Sequence, residues 1–230
     1  MKKTILFGLL FFSLFSCKRK YVEVIPTVSS TQLSSPVSSD LNSVCFISSS
    51  EGFIGGVNGK IYRTNDGGNS WASISMSSSA ININKVLFQN SLKGLVATNA
   101  GIYLTIDGGV TWSNQLPEYI SDLNFVTSNI GYAIGVGSFS VPAKIYKTFD
   151  GGTSWTQCNS TLLYSNLHAV SFVNQDTGYI AGDNAKFFET TDGGSSWSAF
   201  ICDSKWQGKG YSDKIYDLYF TGYRTGYLVG

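Results

Sequence analysis

Four aspartates, Asp66, Asp107, Asp150 and Asp192, recur 41, 43 and 42 residues apart, each inside the line T-x-D-G-G-x-[ST]-W. Carboxylates at a regular interval could gather a cation, or act in pairs as acid and base. Calcium needs several oxygen ligands converging on one point, and each of these lines offers a single carboxylate. A mechanical reading fits the neighbouring letters better. The aspartate can accept hydrogen bonds from turn N–H groups, and the Gly-Gly pair can supply the positive φ that a tight turn needs. The serine or threonine hydroxyl can tie the turn again. Trp71, Trp112, Trp155 and Trp197 then carry a large apolar area back into the fold. His168 is the only histidine. No serine, cysteine or metal ligand accompanies it, so it reads as structural or exposed. No cysteine or histidine cluster has metal-ligand spacing, and neither metal nor cofactor is expected. Cys158 and Cys202 follow the box tryptophans of adjacent repeats, which leaves a disulfide between them open.

The elements that position these residues repeat with the same period. Each unit opens with an alternating strand, marked by Val44/Phe46, Val86/Phe88, Leu123/Phe125, Val170/Phe172 and Leu218/Phe220. Period-2 alternation puts each pair on one face. A Gly-aromatic strand follows in most units (Gly52-Phe53, Gly131-Tyr132, Gly178-Tyr179 and Gly226-Tyr227), with Gly94-Leu95 as a degenerate copy. A third strand leads into the aspartate line, and the tryptophan opens a fourth. Four antiparallel strands in about 42 residues is the size of one β-propeller blade. The fold class expected is therefore all-β, a propeller of four-stranded antiparallel blades. Four complete blades span 41–76, 82–117, 119–159 and 165–202, and the first half of a fifth spans 214–230. That half-blade leaves strand edges open, so the chain is expected to be a fragment of a larger ring. The alternative is a small ring in which residues 21–25 complete the last blade. Asp122 and Asp217 occupy equivalent places at the start of the innermost strands of units three and five. They could face the central channel as an acid/base pair, but solvated strand-end residues are the simpler reading.

The first 17 residues read as a lipoprotein signal peptide. Lys2 and Lys3 precede an apolar run at 4–15, too short to span a bilayer comfortably, and Leu14-Phe15-Ser16-Cys17 resembles a bacterial lipobox. Cys17 is then the lipidation site, and 18–40 is a Ser/Thr-rich tether. No aspartate follows Cys17, so the expectation is an exported, outer-membrane-anchored lipoprotein on the periplasmic or surface face. The membrane is met through the N-terminal lipid only. A net charge of +1 argues against a nucleic-acid partner, which needs clustered Lys and Arg.

The repeated line resembles the Asp-box (BNR) repeat of sialidase-type propellers. The fuller pattern, G-[YF]-x-x-G followed by [KR]-I-Y-x-T-x-D-G-G-x-[ST]-W, more closely resembles the photosystem II stability/assembly factor family over about 41–230. That resemblance implies a non-catalytic propeller scaffold that binds a protein partner in the cell envelope. The alternative is a glycan-binding or glycoside-hydrolysing protein of the sialidase-like superfamily. Sialidases hold their substrate carboxylate with three arginines, whereas this sequence has only Arg19, Arg63 and Arg224, and Arg19 lies beside the lipid site. No enzyme is expected. Two loops, 136–143 and 203–213, are longer than their counterparts. Phe139, Trp206, Lys209 and Tyr211 on these loops are the candidate contacts for a partner, and the aromatics also suit stacking on a sugar.

Overall fold

A computed structural model describes residues 38–74, 76, 78, 80–138, 140–158, 165–199, 214–223 and 225–230. They belong to the compact unit Leu33–Gly230. Cys17, Phe139, Cys202, Trp206, Lys209 and Tyr211 lie outside the described residues, as do Arg19 and Arg224.

The chain is an all-β propeller. Blade 1 holds β1 (Leu41–Phe46), β2 (Gly52–Gly56), β3 (Ile61–Thr64) and β4 (Ala72–Ser73). Blade 2 holds β5 (Ile83–Phe88), β6 (Gly94–Thr98), β7 (Gly101–Thr105) and β8 (Ser113–Leu116). Blade 3 holds β9 (Ile120–Phe125), β10 (Gly131–Gly135), β11 (Ile145–Thr148) and β12 (Thr156–Cys158). Blade 4 holds β13 (Leu167–Phe172), β14 (Gly178–Gly182), β15 (Phe187–Thr190) and β16 (Ser198–Ala199), and a fifth sheet pairs β17 (Asp217–Gly222) with β18 (Thr225–Val229). Each sheet is an antiparallel meander in chain order. The fourth strands begin one residue after the box tryptophan rather than at it. In blades 1 and 3 the indole N–H bonds back to a glycine carbonyl, Gly68 O at 3.0 Å and Gly152 O at 3.2 Å, so there the tryptophan still belongs to the turn.

Register explains why each second strand starts with glycine. Phe46 pairs with Gly52, Phe88 with Gly94, Phe125 with Gly131, Phe172 with Gly178 and Phe220 with Gly226. The phenylalanine ring lies over the glycine, and a Cβ there would meet it within 2.8 Å in every blade. The tryptophan edge meets the same ring, with centroids 5.9–6.4 Å apart in the four complete blades. The aromatic of the preceding blade then stacks on it: Phe53 on Phe88 at 3.5 Å, Tyr132 on Phe172 at 3.5 Å and Tyr179 on Phe220 at 3.9 Å. In blade 2, Leu95 takes the aromatic's place and packs in one core with Phe125.

Strand alternation therefore buries both faces of blades 2, 3 and 4, and the four hydrophobic cores among the described residues lie between blades. Phe53 and Ile61 of blade 1 close on Ile83, Val86 and Phe88 of blade 2. Tyr132 and Ile145 of blade 3 close on Leu167, Val170 and Phe172 of blade 4. The first strands β1, β5, β9, β13 and β17 stand side by side around the axis. Val44 and Phe46 are 61% and 46% exposed, and at the other end of the arc Tyr219 and Tyr227 are 64% and 72% exposed. At the internal joints the place of Val44 is taken by the buried Val86, Leu123, Val170 and Leu218, and that of Tyr227 by the buried Phe53, Leu95, Tyr132 and Tyr179.

Candidate functional site

The Asp boxes sit on one rim, and their aspartates are saturated by their own turns. Both box glycines have positive φ in all four copies, for example Gly67 at 72° and Gly68 at 94°. The aspartate Oδ1 accepts the N–H four residues on at 2.9 Å in each copy. It also accepts the hydroxyl of the preceding threonine at 2.7–2.8 Å. Oδ2 accepts the Ser or Thr hydroxyl four residues on. These donors, led by that hydroxyl, hold Asp66, Asp107 and Asp150 down to about 2, well below the ordinary 3.8. Asp192 is lowered for the same reasons.

The sequence reading missed the threonine that opens each line. Thr64, Thr105, Thr148 and Thr190 are buried, and each Oγ1 accepts the second glycine's N–H at 2.8–2.9 Å. The first glycine's N–H donates to the β-hairpin of its own blade, as Gly151 does to Asn129 O at 2.9 Å. The aspartate and threonine oxygens and the glycine N–H groups of the box are thus used to pin the rim, which leaves the aspartates poor ligands for anything else. Arg63 serves the same rim, paired with Glu51 and lying 5.7 Å from the Phe53 ring centre.

The polar chemistry gathers in the central channel, around a cavity of about 690 Å³. Asp122, Asp217, Lys85 and His168 all line it, so the structure brings together the two carboxylates and the histidine singled out in the sequence. They are not equivalent there. The channel edges of the first strands carry backbone groups with no strand beside them, and side chains of the preceding blade bond to these groups. Asn42 donates to Ile83 O at 2.8 Å, Asn84 to Ile120 O at 2.7 Å and Ser121 to Leu167 O at 2.9 Å. Ser43 accepts from Val86 N at 2.9 Å, Asn124 from Phe172 N at 3.1 Å and Ser171 from Phe220 N at 3.1 Å.

Asp122 belongs to this lacing. It is 4% exposed, its Oδ2 accepts Val170 N–H at 2.9 Å, and its Oδ1 lies 3.1 Å from Lys85 Nζ. Burial pushes its carboxyl above the usual range, against the pull of Lys85 and the Val170 N–H. Burial alone would lower Lys85, but Asp122 and then Asp217 outweigh it and raise the ammonium. Asp217 is exposed, and among the described residues its one hydrogen bond is from the N–H of Leu218 at 2.8 Å. One carboxylate is therefore a structural tie between three blades, and the other is open to the channel.

His168 has a partner that sequence spacing did not reveal. Its Nε2 lies 2.8 Å from Asp183 Oδ1, Asn166 donates to Asp183 Oδ2 at 3.0 Å, and Lys214 Nζ is 3.7 Å from the same carboxylate. Burial would raise the Asp183 carboxyl, but the hydrogen bonds from His168 and Asn166 hold it below its ordinary value. Asp183 opens a single 3-10 turn, Asp183–Ala185, in which Asn184 and Ala185 have φ of 60° and 51°. Among the described residues, no group of three or more His, Cys, Asp or Glu is placed to hold a metal ion.

Comparison with known proteins matches this architecture. The chain resembles a solved YCF48 bound to a D1 peptide (20% identity, TM-score 0.61, covering 83% of this chain and 59% of that one). It also resembles YCF48 from Cyanidioschyzon merolae (18% identity, TM-score 0.58, covering 82% and 62%). A GH74 xyloglucanase from Xanthomonas campestris is similar as well (13% identity, TM-score 0.57, covering 74% and 32%). At these identities the likeness is one of fold. The chain spans about three-fifths of the length of either YCF48 structure. No curated protein matches it by sequence. The family model described as photosynthesis system II assembly factor YCF48 matches residues 23–118 and 113–217. The chain belongs to the YCF48 family of Asp-box propellers.

Proposed function

We propose that this protein is a non-catalytic propeller scaffold, tethered through a lipid on Cys17 and binding a protein partner in the cell envelope. The observation that carries the non-catalytic reading is the state of Asp122. A general acid or base must be free to exchange a proton with a substrate, and this carboxylate is buried between Lys85 and the Val170 N–H. The box aspartates are likewise saturated by their own turns. Family membership supports an assembly or stability role. A YCF48 in complex with a D1 peptide is a protein-binding member, which supports a protein partner for the present chain; that the partner lies in the envelope follows from the proposed lipid on Cys17. The proposed layout is a signal peptide over 1–17, a tether over 18–40 and the propeller over 41–230.

The test is native purification from the membrane fraction with intact-mass measurement, alongside a panel of fluorogenic glycosides. A diacyl or triacyl mass increment on Cys17, one stoichiometric envelope protein and no glycoside turnover are the expected results. Turnover that survives in Asp122→Asn and falls in Asp217→Asn would transfer the assignment to a glycoside hydrolase.

A further inference from the structure

The channel cavity carries a charge imbalance that the blade-to-blade lacing does not remove. Two carboxylates on its wall share one ammonium. Lys85 lies 3.1 Å from Asp122, and Asp217 also acts on it. Asp122 is buried and accepts a backbone N–H with its second oxygen. Asp217 faces the cavity, and among the described residues it has no ion-pair partner within 4.0 Å. An anion entering here would meet Asp217 with the nearby cation already committed.

The remaining wall has the chemistry of a sleeve. Leu41, Val44 and Ile54 form an apolar flank, and Tyr119 and Tyr216 line the cavity while staying 46% and 61% exposed. A long basic side chain matches each part. Its methylene stem covers apolar surface while its head stays among polar groups. Tyrosine faces attract cations, and a charged head donates strong hydrogen bonds to a carboxylate. At about 690 Å³ the cavity is far larger than a bare ion requires.

We propose that the central cavity receives an arginine or lysine side chain from an extended segment of the protein partner, its cationic head on Asp217 and its stem along Leu41, Val44 and Ile54. This rests on the scaffold reading above and names the chemistry of the contact. The head would complete an alternating array, carboxylate, ammonium, carboxylate, cation, across the channel wall. Asp217 makes no hydrogen bond to another blade among the described residues, so neutralising it removes the contact without unlacing the propeller.

The experiment titrates the full chain with acetylated, amidated Gly-Gly-Arg-Gly-Gly, its lysine counterpart and its citrulline counterpart, followed by NMR shift changes. Citrulline keeps the shape of arginine and removes the charge. Saturable binding of the arginine and lysine peptides is expected. It should weaken at least tenfold with citrulline and at least tenfold in Asp217→Asn, with the variant's melting midpoint unchanged. Equal binding of arginine and citrulline peptides, binding of neither basic peptide, or full binding by Asp217→Asn overturns the proposal. The scaffold reading is scored separately. An envelope protein captured equally well by Asp217→Asn overturns the cavity contact and leaves the scaffold standing. Charge-dependent peptide binding with no envelope protein captured at stoichiometry keeps the cavity contact and removes the scaffold.

Discussion

Tyr132 lies flat on Phe172 across the gap between blades 3 and 4, with ring centroids 3.5 Å apart and planes 3° from parallel. Its hydroxyl continues past the stack to Gln175 O at 2.9 Å. The residue thus joins two blades through an apolar face and a polar tip at once. Tyr132→Ala should destabilise the protein by about 3–5 kcal/mol, the usual cost of deleting a buried aromatic. Tyr132→Phe keeps the stack and should lose only about 1 kcal/mol, one hydrogen bond's worth. Denaturant unfolding of the two variants checks the split, and equal losses would mean that the stack contributes little.

Gly178 offers a steric test of the strand register. An added Cβ would lie 2.5 Å from the Phe172 ring, and that ring is held on its other sides by Tyr132 and Trp197. Gly178→Ala should cost about 1–3 kcal/mol through overpacking. Gly222 has nothing within 4 Å of its would-be Cβ, so Gly222→Ala should stay within about 0.5 kcal/mol of wild type. Thermal melts of the pair would show the contrast.

Within a box, the buried threonine should matter more than the exposed aspartate. Thr148 is 1% exposed and accepts Gly152 N–H at 2.9 Å. Thr148→Val strands that buried donor, at a cost of about 1–3 kcal/mol. Asp150 is exposed, so the groups it releases in Asp150→Ala can turn to water, and about 1 kcal/mol is expected. A larger loss for Asp150→Ala than for Thr148→Val would reverse the assignment of which residue pins the turn.

The same carboxylates set an acid limit. Asp66, Asp107 and Asp150 fall from an ordinary 3.8 to about 2 in the folded protein. A depressed carboxylate contributes stability that is present above its unfolded value and lost as pH falls through its folded value. The box contribution should therefore be intact above about pH 4 and decline between about pH 4 and pH 2. Melting midpoints of wild type and Asp150→Asn should converge across that window. A gap that stays constant down to pH 2 would mean that Asp150 is not ionised in its box.

The blades were readable because their signals are local. The aspartate line, the Gly-aromatic pair and the Val-x-Phe alternation each lie within a few residues, and their spacing repeats. The channel lacing is different in kind. Asn84 and Ile120, or Ser171 and Phe220, are 36 and 49 residues apart, and a lone Asn or Ser in a strand gives no hint of a partner in the next blade. Aligning the five first strands is the one sequence operation that would have raised the question, because the polar residues then fall into register. Asp122 and Asp217 are equivalent in that alignment, each one residue before the inward leucine of its strand. Their environments diverge because Lys85 and Val170 flank Asp122 from both neighbouring blades, whereas no ion pair or hydrogen bond from another blade reaches Asp217 among the described residues. Sequence spacing leaves His168 alone because Asp183 arrives from a turn 15 residues on.

The cores lie at the joints between blades rather than inside them, and this bears on how such a chain can change length. An isolated blade would have no interior of its own, so it is not the unit that folds. The unit is the joint, and the three joints between the four complete blades are built from the same parts: a Phe over a glycine, a flat or branched side chain from the preceding blade, and a tryptophan edge. Inserting or excising one whole repeat would leave every surviving joint with both of its halves, in the manner of other arrays held by nearest-neighbour contacts. Repeat number in such a chain can drift by duplication and deletion without a new interface having to be invented. Leu95 against Phe125 marks how far a single joint can stray from the pattern and still close.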